Sequence, residues 1–150
     1  MKYRRLSSEE LSELEKEFID FLIVNGVTAD VWVDLKADDK EKADSIIDSF
    51  SDVVFEGILR KTQYLDFVTP TSVKSFQCLA NEIVLVGLDS EVSSGIDFTK
   101  NDWQSDFSDL KIYNSSKQYK NSREEELFNM IQNGASISNG ELFKQLCLGL

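Results

Sequence analysis

The run Glu82-Ile83-Val84-Leu85-Val86-Gly87-Leu88-Asp89 constrains the fold of this chain more than any other stretch. It is short, apolar and rich in β-branched residues, and a carboxylate closes each end. A run of this kind reads as a strand covered on both faces, with helices or loops supplying the cover. Residues 62–81 look like strands that pair with it. Tyr64-Leu65-Asp66-Phe67-Val68 reads as one, and Thr69-Pro70-Thr71 breaks it at the single proline. Val73 to Leu79 reads as a second strand, and Ala80-Asn81 is short enough for a hairpin into the third. No crossover helix separates the three, so the sequence predicts an antiparallel meander over about 63–89.

Helical periodicity dominates the segment before the sheet. Ser7-Ser8-Glu9-Glu10 is a capping box, in which the Ser7 hydroxyl accepts a first-turn N–H and Glu10 reaches back to Ser7. The helix it opens carries Leu11, Leu14, Phe18, Phe21, Leu22 and Val24 at helical spacing, and Asn25-Gly26 ends it. Thr28 caps a shorter helix with Ala29, Val31, Trp32 and Leu35. Asp38 or Asp39 caps a third, where Ala43, Ile46, Ile47, Phe50, Val53, Val54 and Ile58 keep the period to about Lys61. Connections this short make the helices antiparallel neighbours.

Beyond the sheet, residues 90–121 are rich in Ser, Asn, Asp and Lys and read as irregular. Thr99–Phe107 is expected to be a short helix and Leu110–Tyr113 an edge strand. Ser122-Arg123-Glu124-Glu125 opens a further helix that Asn133-Gly134 closes, and a last one runs from about Asn139 to Leu148. Gly87 is expected to mark a bulge or a close-packing position, and Gly57 to admit a neighbouring element. The fold class is therefore α+β: an N-terminal three-helix group, a small antiparallel meander and two C-terminal helices packed back on it. At 150 residues this is read as one domain, helical over 7–61, sheet over 62–89, irregular over 90–121 and helical over 122–148.

Function is bounded mainly by exclusion. The chain has no histidine, which removes Ser-His and Cys-His nucleophile pairs, imidazole general bases and nearly all zinc and non-haem iron sites. The two cysteines, Cys78 and Cys147, lie in apolar surroundings and read as buried thiols. No nucleophile or cofactor motif is present, so the expectation is a non-catalytic chain without cofactor. The apolar runs are too short to span a bilayer, and the N-terminus has no apolar signal core, which points to a cytoplasmic location. Residues 8–56 hold 15 Asp/Glu against 4 Lys/Arg, and the rest of the chain is balanced. An acidic helical face repels phosphate backbones and bilayer surfaces and suits a basic protein partner.

Three groups of residues carry functional readings. Trp32 flanked by Asp30 and Asp34, and Trp103 flanked by acidic neighbours, are candidate anchors for a protein partner, as aromatic residues in an acidic rim. Asp102, Asp106 and Asp109, with Asp97 nearby, fall on one side of a short helix. They are the candidate metal ligands for a carboxylate-based, metal-dependent enzyme, although their spacing does not match the twelve-residue calcium loop. Lys111, Tyr113, Lys117, Tyr119, Lys120 and Arg123 interleave cations with aromatics, as single-strand RNA binding requires. Against this stand the adjacent Glu124–Glu126 and a pI of about 4.4.

The segments Lys2-Tyr3-Arg4-Arg5-Leu6, Glu9-Glu10-Leu11, Glu17-Phe18-Ile19 and Asn25-Gly26-Val27-Thr28-Ala29-Asp30 resemble the opening of a small family of uncharacterised acidic bacterial proteins. Tyr119-Lys120, Arg123-Glu124-Glu125-Glu126-Leu127-Phe128 and Gly140-Glu141-Leu142-Phe143 are similar to its C-terminal half. The resemblance spans nearly the full length. It implies a standalone cytoplasmic domain of unknown function and supplies no catalytic or binding residues. The leading expectation is an accessory or protein–protein interaction module that uses its acidic helical face.

Overall fold

The computed structural model describes residues 1–90, 95–100, 103 and 110–149. The fold is α+β, and the chain divides into two compact units, Met1–Ile58 and Leu59–Leu150. Four helices come first: α1 (Ser8–Glu13), α2 (Glu15–Val24), α3 (Ala29–Asp38) and α4 (Lys40–Lys61). The meander β1 (Tyr64–Thr69), β2 (Ser72–Cys78) and β3 (Glu82–Asp89) follows. Then come β4 (Ile112–Gln118), α5 (Arg123–Gln132), β5 (Ser136–Ser138) and α6 (Glu141–Cys147).

In the first unit the capping chemistry sets the helix starts. Ser7 and Glu10 form the reciprocal capping box of α1. Thr28 accepts the Val31 N–H to open α3, and Asp39 accepts the Lys42 N–H at the start of α4. One difference from the sequence expectation is a break at Leu14, whose φ of −105° and ψ of 24° leave the helical region. The hydrogen bonds Leu14 N to Glu10 O and Phe18 N to Leu14 O persist across it, so the single expected helix becomes two that continue one another. Leu6, Phe18, Leu22 and Phe50 form the buried core of this unit, and Trp32 packs against it. The Phe18 ring meets Trp32 edge-on at 5.1 Å and Phe50 at 5.0 Å. Among the residues at helical spacing, Val24, Val31, Val53 and Ile58 are exposed, Val24 at 85%.

The second unit holds an antiparallel sheet in the order β4-β3-β2-β1-β5. The meander is as expected, but it is larger: β4 extends it on one side and β5 on the other. β1 pairs with β2 and β5 rather than with β3. Both faces of β3 are covered. Val86 and Leu88 are buried on one side and Ile83 and Gly87 on the other, because strand side chains alternate. Val73, Val86, Leu88, Phe143 and Leu146 share a core with Phe98 and Trp103, so α6 lies on the face that Val73 presents. Gly87 is the close-packing position the sequence suggested. A Cβ there would sit 2.6 Å from the Tyr113 ring, since Gly87 and Tyr113 are directly paired across β3 and β4. Gly57 behaves differently from expectation, since a Cβ on it would meet nothing within 4 Å among the described residues.

Candidate functional site

An apolar groove in the first unit is the strongest candidate site. It lies between α2 and α3 and has a volume of about 330 Å³. Its floor is Phe18, Leu22, Val27 and Trp32, and its walls are Ile19 and Ile23 from α2 and Val33 from α3. The 3-4 spacing of 15, 18, 19, 22 and 23, and of 29, 32, 33 and 36, puts each set on one stripe of its helix. The inner half of each stripe is covered by the core. The outer half is not: Ile19 is 46% exposed, Ile23 64% and Val33 59%. Scattered exposed apolar side chains need no explanation, whereas these three converge on a concavity.

The rim of the groove is mixed but mainly acidic. Glu15 and Lys36 line its ends, and the Lys36 ammonium stands 5.9 Å from the Trp32 ring centroid. Asp30 and Asp34 are exposed, and the helical period places both on the flank of α3 next to Val33. Asp20 shares the corresponding flank of α2 with Lys16. Of the sequence candidates, Trp32 lines the groove, and Asp30 and Asp34 lie beside it on α3. Sequence reading missed the walls, because Ile19, Ile23 and Val33 fall outside the residues that periodicity marks as buried.

A second arrangement occupies α4. Asp44, Asp48, Asp52 and Glu56 recur every four residues and form a ladder of carboxylates along one stripe. The basic N-terminal segment lies along it in the opposite direction. The Lys2 and Tyr3 backbone N–H groups donate to the two oxygens of Asp52 at 2.7 and 3.0 Å. Lys2 Nζ and the Tyr3 hydroxyl both reach Glu56. Arg5 grips Asp48 with two nitrogens at 2.6 and 3.0 Å and approaches Asp44 at 3.7 Å. Asp48 is accordingly held below the usual carboxylate range by its hydrogen bond to Arg5. Leu6 closes the strap: its side chain is buried and its N–H donates to Ser51 Oγ at 2.9 Å. The four-residue spacing of the ladder is local to α4, whereas its cover comes from 43 to 54 residues away in the chain. This part of the acidic face is occupied by the chain itself.

In the second unit, Arg123 gathers backbone carbonyls. Its guanidinium donates to the oxygens of Leu59 at 2.9 Å, Cys78 at 3.1 Å and Leu79 at 3.2 Å, and also to Thr62. Leu59 lies in the last turn of α4, where, within the backbone, its carbonyl accepts the Thr62 N–H at 3.2 Å in place of an i+4 partner and the dipole favours a cation. Tyr119 donates to the Leu79 oxygen at 2.8 Å. Burial pushes the Tyr119 phenol up to about 12 and the Cys78 thiol up to about 11. An open depression of about 620 Å³ adjoins this cluster, lined by Arg60, Gln63, Cys78, Ala80, Arg123 and Glu124. With its donors already directed at carbonyls, Arg123 acts as a structural clamp.

The remaining sequence candidates are placed as follows. Trp103 is 6% exposed, donates its indole N–H to the Phe98 oxygen and stacks edge-on against Phe98. It belongs to the core of the second unit, not to the groove. Asp102, Asp106 and Asp109, and most of the helix expected over 99–107, lie outside the described residues. Asp97 accepts the N–H and hydroxyl of Thr99, which lower its pKa. Among the described residues no group of three or more His, Cys, Asp or Glu could hold a metal ion, and no helix is long and apolar enough to cross a membrane. In the interleaved basic stretch, Tyr113 covers Gly87 and Lys117 pairs with Glu126 at 3.1 Å. Tyr119 and Arg123 are taken up by carbonyls, while Lys111 and Lys120 are exposed. Both cysteines are free.

Comparison with known proteins gives a family and nothing finer. The family described as "Family of unknown function (DUF6495)" matches residues 1–149, and the chain belongs to it. No curated protein and no solved structure matches the chain.

Proposed function

We propose that this member of a family without an assigned function is a non-catalytic protein-interaction module. Its groove between α2 and α3 takes a short amphipathic segment of a partner protein with basic flanks. The observation that carries the reading is the convergence of Ile19, Ile23 and Val33, each about half exposed, on a concavity floored by Phe18 and Trp32. Amphipathic helices are recognised by grooves of this construction, through apolar anchors one or two turns apart. The basic flank follows from charge: Asp20, Asp30 and Asp34 border the walls, in a region where acidic residues outnumber basic ones 15 to 4. The strap on α4 supports the choice, because there a Lys-Tyr-Arg-Arg segment already lies on an acidic helix stripe of the same unit. A cytoplasmic setting accords with the free thiols.

The test is a titration of two labelled helical peptides that share an apolar face, one flanked by lysines and one by glutamates. Binding of the lysine form is expected with a Kd of order 10 µM, weakening as salt rises. The double variant Ile23→Glu, Val33→Glu changes only exposed side chains, so it should fold normally and lose binding. Equal binding of both peptides contradicts the charge argument, and unchanged binding by the folded double variant contradicts the site.

A further inference from the structure

The strap from Lys2 to Leu6 ties the carboxylate ladder of α4 to the groove. It lies outside every helix and strand, and side chains hold its backbone. The Lys2 and Tyr3 N–H groups donate to Asp52, and the Leu6 N–H donates to Ser51. Its ion pairs stand in solvent, with the Lys2 and Arg5 side chains 41% and 46% exposed. Exposed pairs contribute little each and are screened by salt. Of the five residues, Leu6 alone is buried. A segment held in this way belongs to the low-stability end of a fold and opens before the helices around it.

What Leu6 touches is the core beneath the groove. It shares one buried cluster with Phe18, Leu22 and Phe50, and Phe18 and Leu22 are also floor residues of the groove. The rings continue the path: Phe50 lies 5.0 Å from Phe18, and Phe18 lies 5.1 Å from Trp32. Phe55 packs against the same cluster and carries the Tyr3 ring at 6.1 Å and the Arg4 guanidinium at 4.8 Å. Strap and groove therefore draw on one set of packed side chains. Interiors are close-packed, so withdrawing a leucine from such a set makes its neighbours relax.

We propose that the strap is a latch on the groove. Docked, with Leu6 in the core, it holds Phe18 and Trp32 where they form the floor; released, it lets the floor relax and lowers the affinity for the partner segment. The inference rests on the groove as the binding site. The two states differ in whether Lys2 and Arg5 lie against Glu56, Asp48 and Asp44, so charge on the strap sets the balance. Apparent affinity falls with the fraction of the chain in the competent state, and whatever draws the strap off α4 weakens the groove.

The test is the double variant Lys2→Asp, Arg5→Asp in the full chain, at two exposed positions that leave the core untouched. Without peptide, the Leu6 amide is expected to lose protection from hydrogen exchange by at least about tenfold. The Trp32 indole NMR signal should shift while that of Trp103, in the other unit, stays in place. With the lysine-flanked peptide, Kd should rise about threefold. The reversals make the unit more acidic, so simple attraction would tighten binding instead. Adding Asp48→Arg, which pairs again with position 5, should bring all three readouts partway back. A Leu6 amide that stays protected in the double variant overturns the proposal, because the strap is then not released by its charges. Lost protection with an unmoved Trp32 indole, or with unchanged or tighter peptide binding, overturns it equally. A wild-type chain that binds no peptide contradicts the groove reading, and the amide and indole signals still decide whether the strap sets the floor.

Discussion

Arg123 shows how much one side chain can hold in place. Its guanidinium reaches four carbonyls, from α4, the α4–β1 connection, the end of β2 and the β2–β3 turn, and it shares those of Leu59 and Leu79 with the Thr62 N–H and the Tyr119 hydroxyl. Replacing it by Met removes a donor from the carbonyls of the buried residues Thr62 and Cys78, for an expected loss of about 2–3 kcal/mol in urea unfolding. Arg123→Lys should recover only part of this, because an ammonium has three donors and no planar fork. A loss below about 1 kcal/mol for Arg123→Met would mean that water replaces the guanidinium freely. Gly87 offers a second test. A Cβ there sits 2.6 Å from the Tyr113 ring, so Gly87→Ala should cost about 1–3 kcal/mol by overpacking. The same change should cost clearly less in a Tyr113→Ser background, and additive costs in that double-mutant cycle would show that the ring is not the obstacle. That Gly87 needed a close neighbour was legible from a lone glycine inside an apolar strand. Which neighbour it was depended on β4, and the sequence of β4 does not announce a strand.

At the scale of elements, legibility followed apolar periodicity and capping. The starts of α1, α3, α4 and α5 were readable because Ser7, Thr28, Asp39 and Ser122 are capping residues placed before periodic runs. β4 was shortened to its apolar start because an edge strand keeps polar residues from Asn114 to Gln118, all exposed; β3 supplies the ladder that makes it a strand. The break at Leu14 carries no glycine or proline to mark it. The cap of α1 yields a pH prediction. Arg4 and the Ser7 N–H hold the Glu10 carboxyl at about 2, against an ordinary 4.5. Because the folded-state pKa is the lower one, this stabilisation is complete above about pH 4.5 and disappears as pH falls toward 2. Glu10 is 38% exposed, so after solvent screening the effect should not exceed about 1 kcal/mol. In Glu10→Gln the stability curve should be flatter between those pH values, and an unchanged acid limb would contradict the assignment. The strap divides its work in a similar way. Leu6→Ala should cost about 2–4 kcal/mol by cavity formation, and the solvent-exposed Arg5 far less on Arg5→Ala. Equal costs in thermal unfolding would mean that the ladder, not Leu6, holds the segment.

For the whole molecule, charge sets the salt response: with a net charge of −11, binding of a basic segment in the groove should weaken as salt rises. The acidity was plain in the sequence, but its distribution over surfaces was not. Part of it lies under the N-terminal strap, and part borders a groove that exists only because two helices expose their outer apolar flanks side by side. The measurement that tests the interaction reading most directly is a map of amide and indole NMR shifts during titration with the lysine-flanked peptide. The account predicts shifts confined to Ile19, Ile23, Ala29, Val33 and the Trp32 indole, with the Trp103 indole unmoved. Shifts centred elsewhere, or none at millimolar peptide, would contradict it.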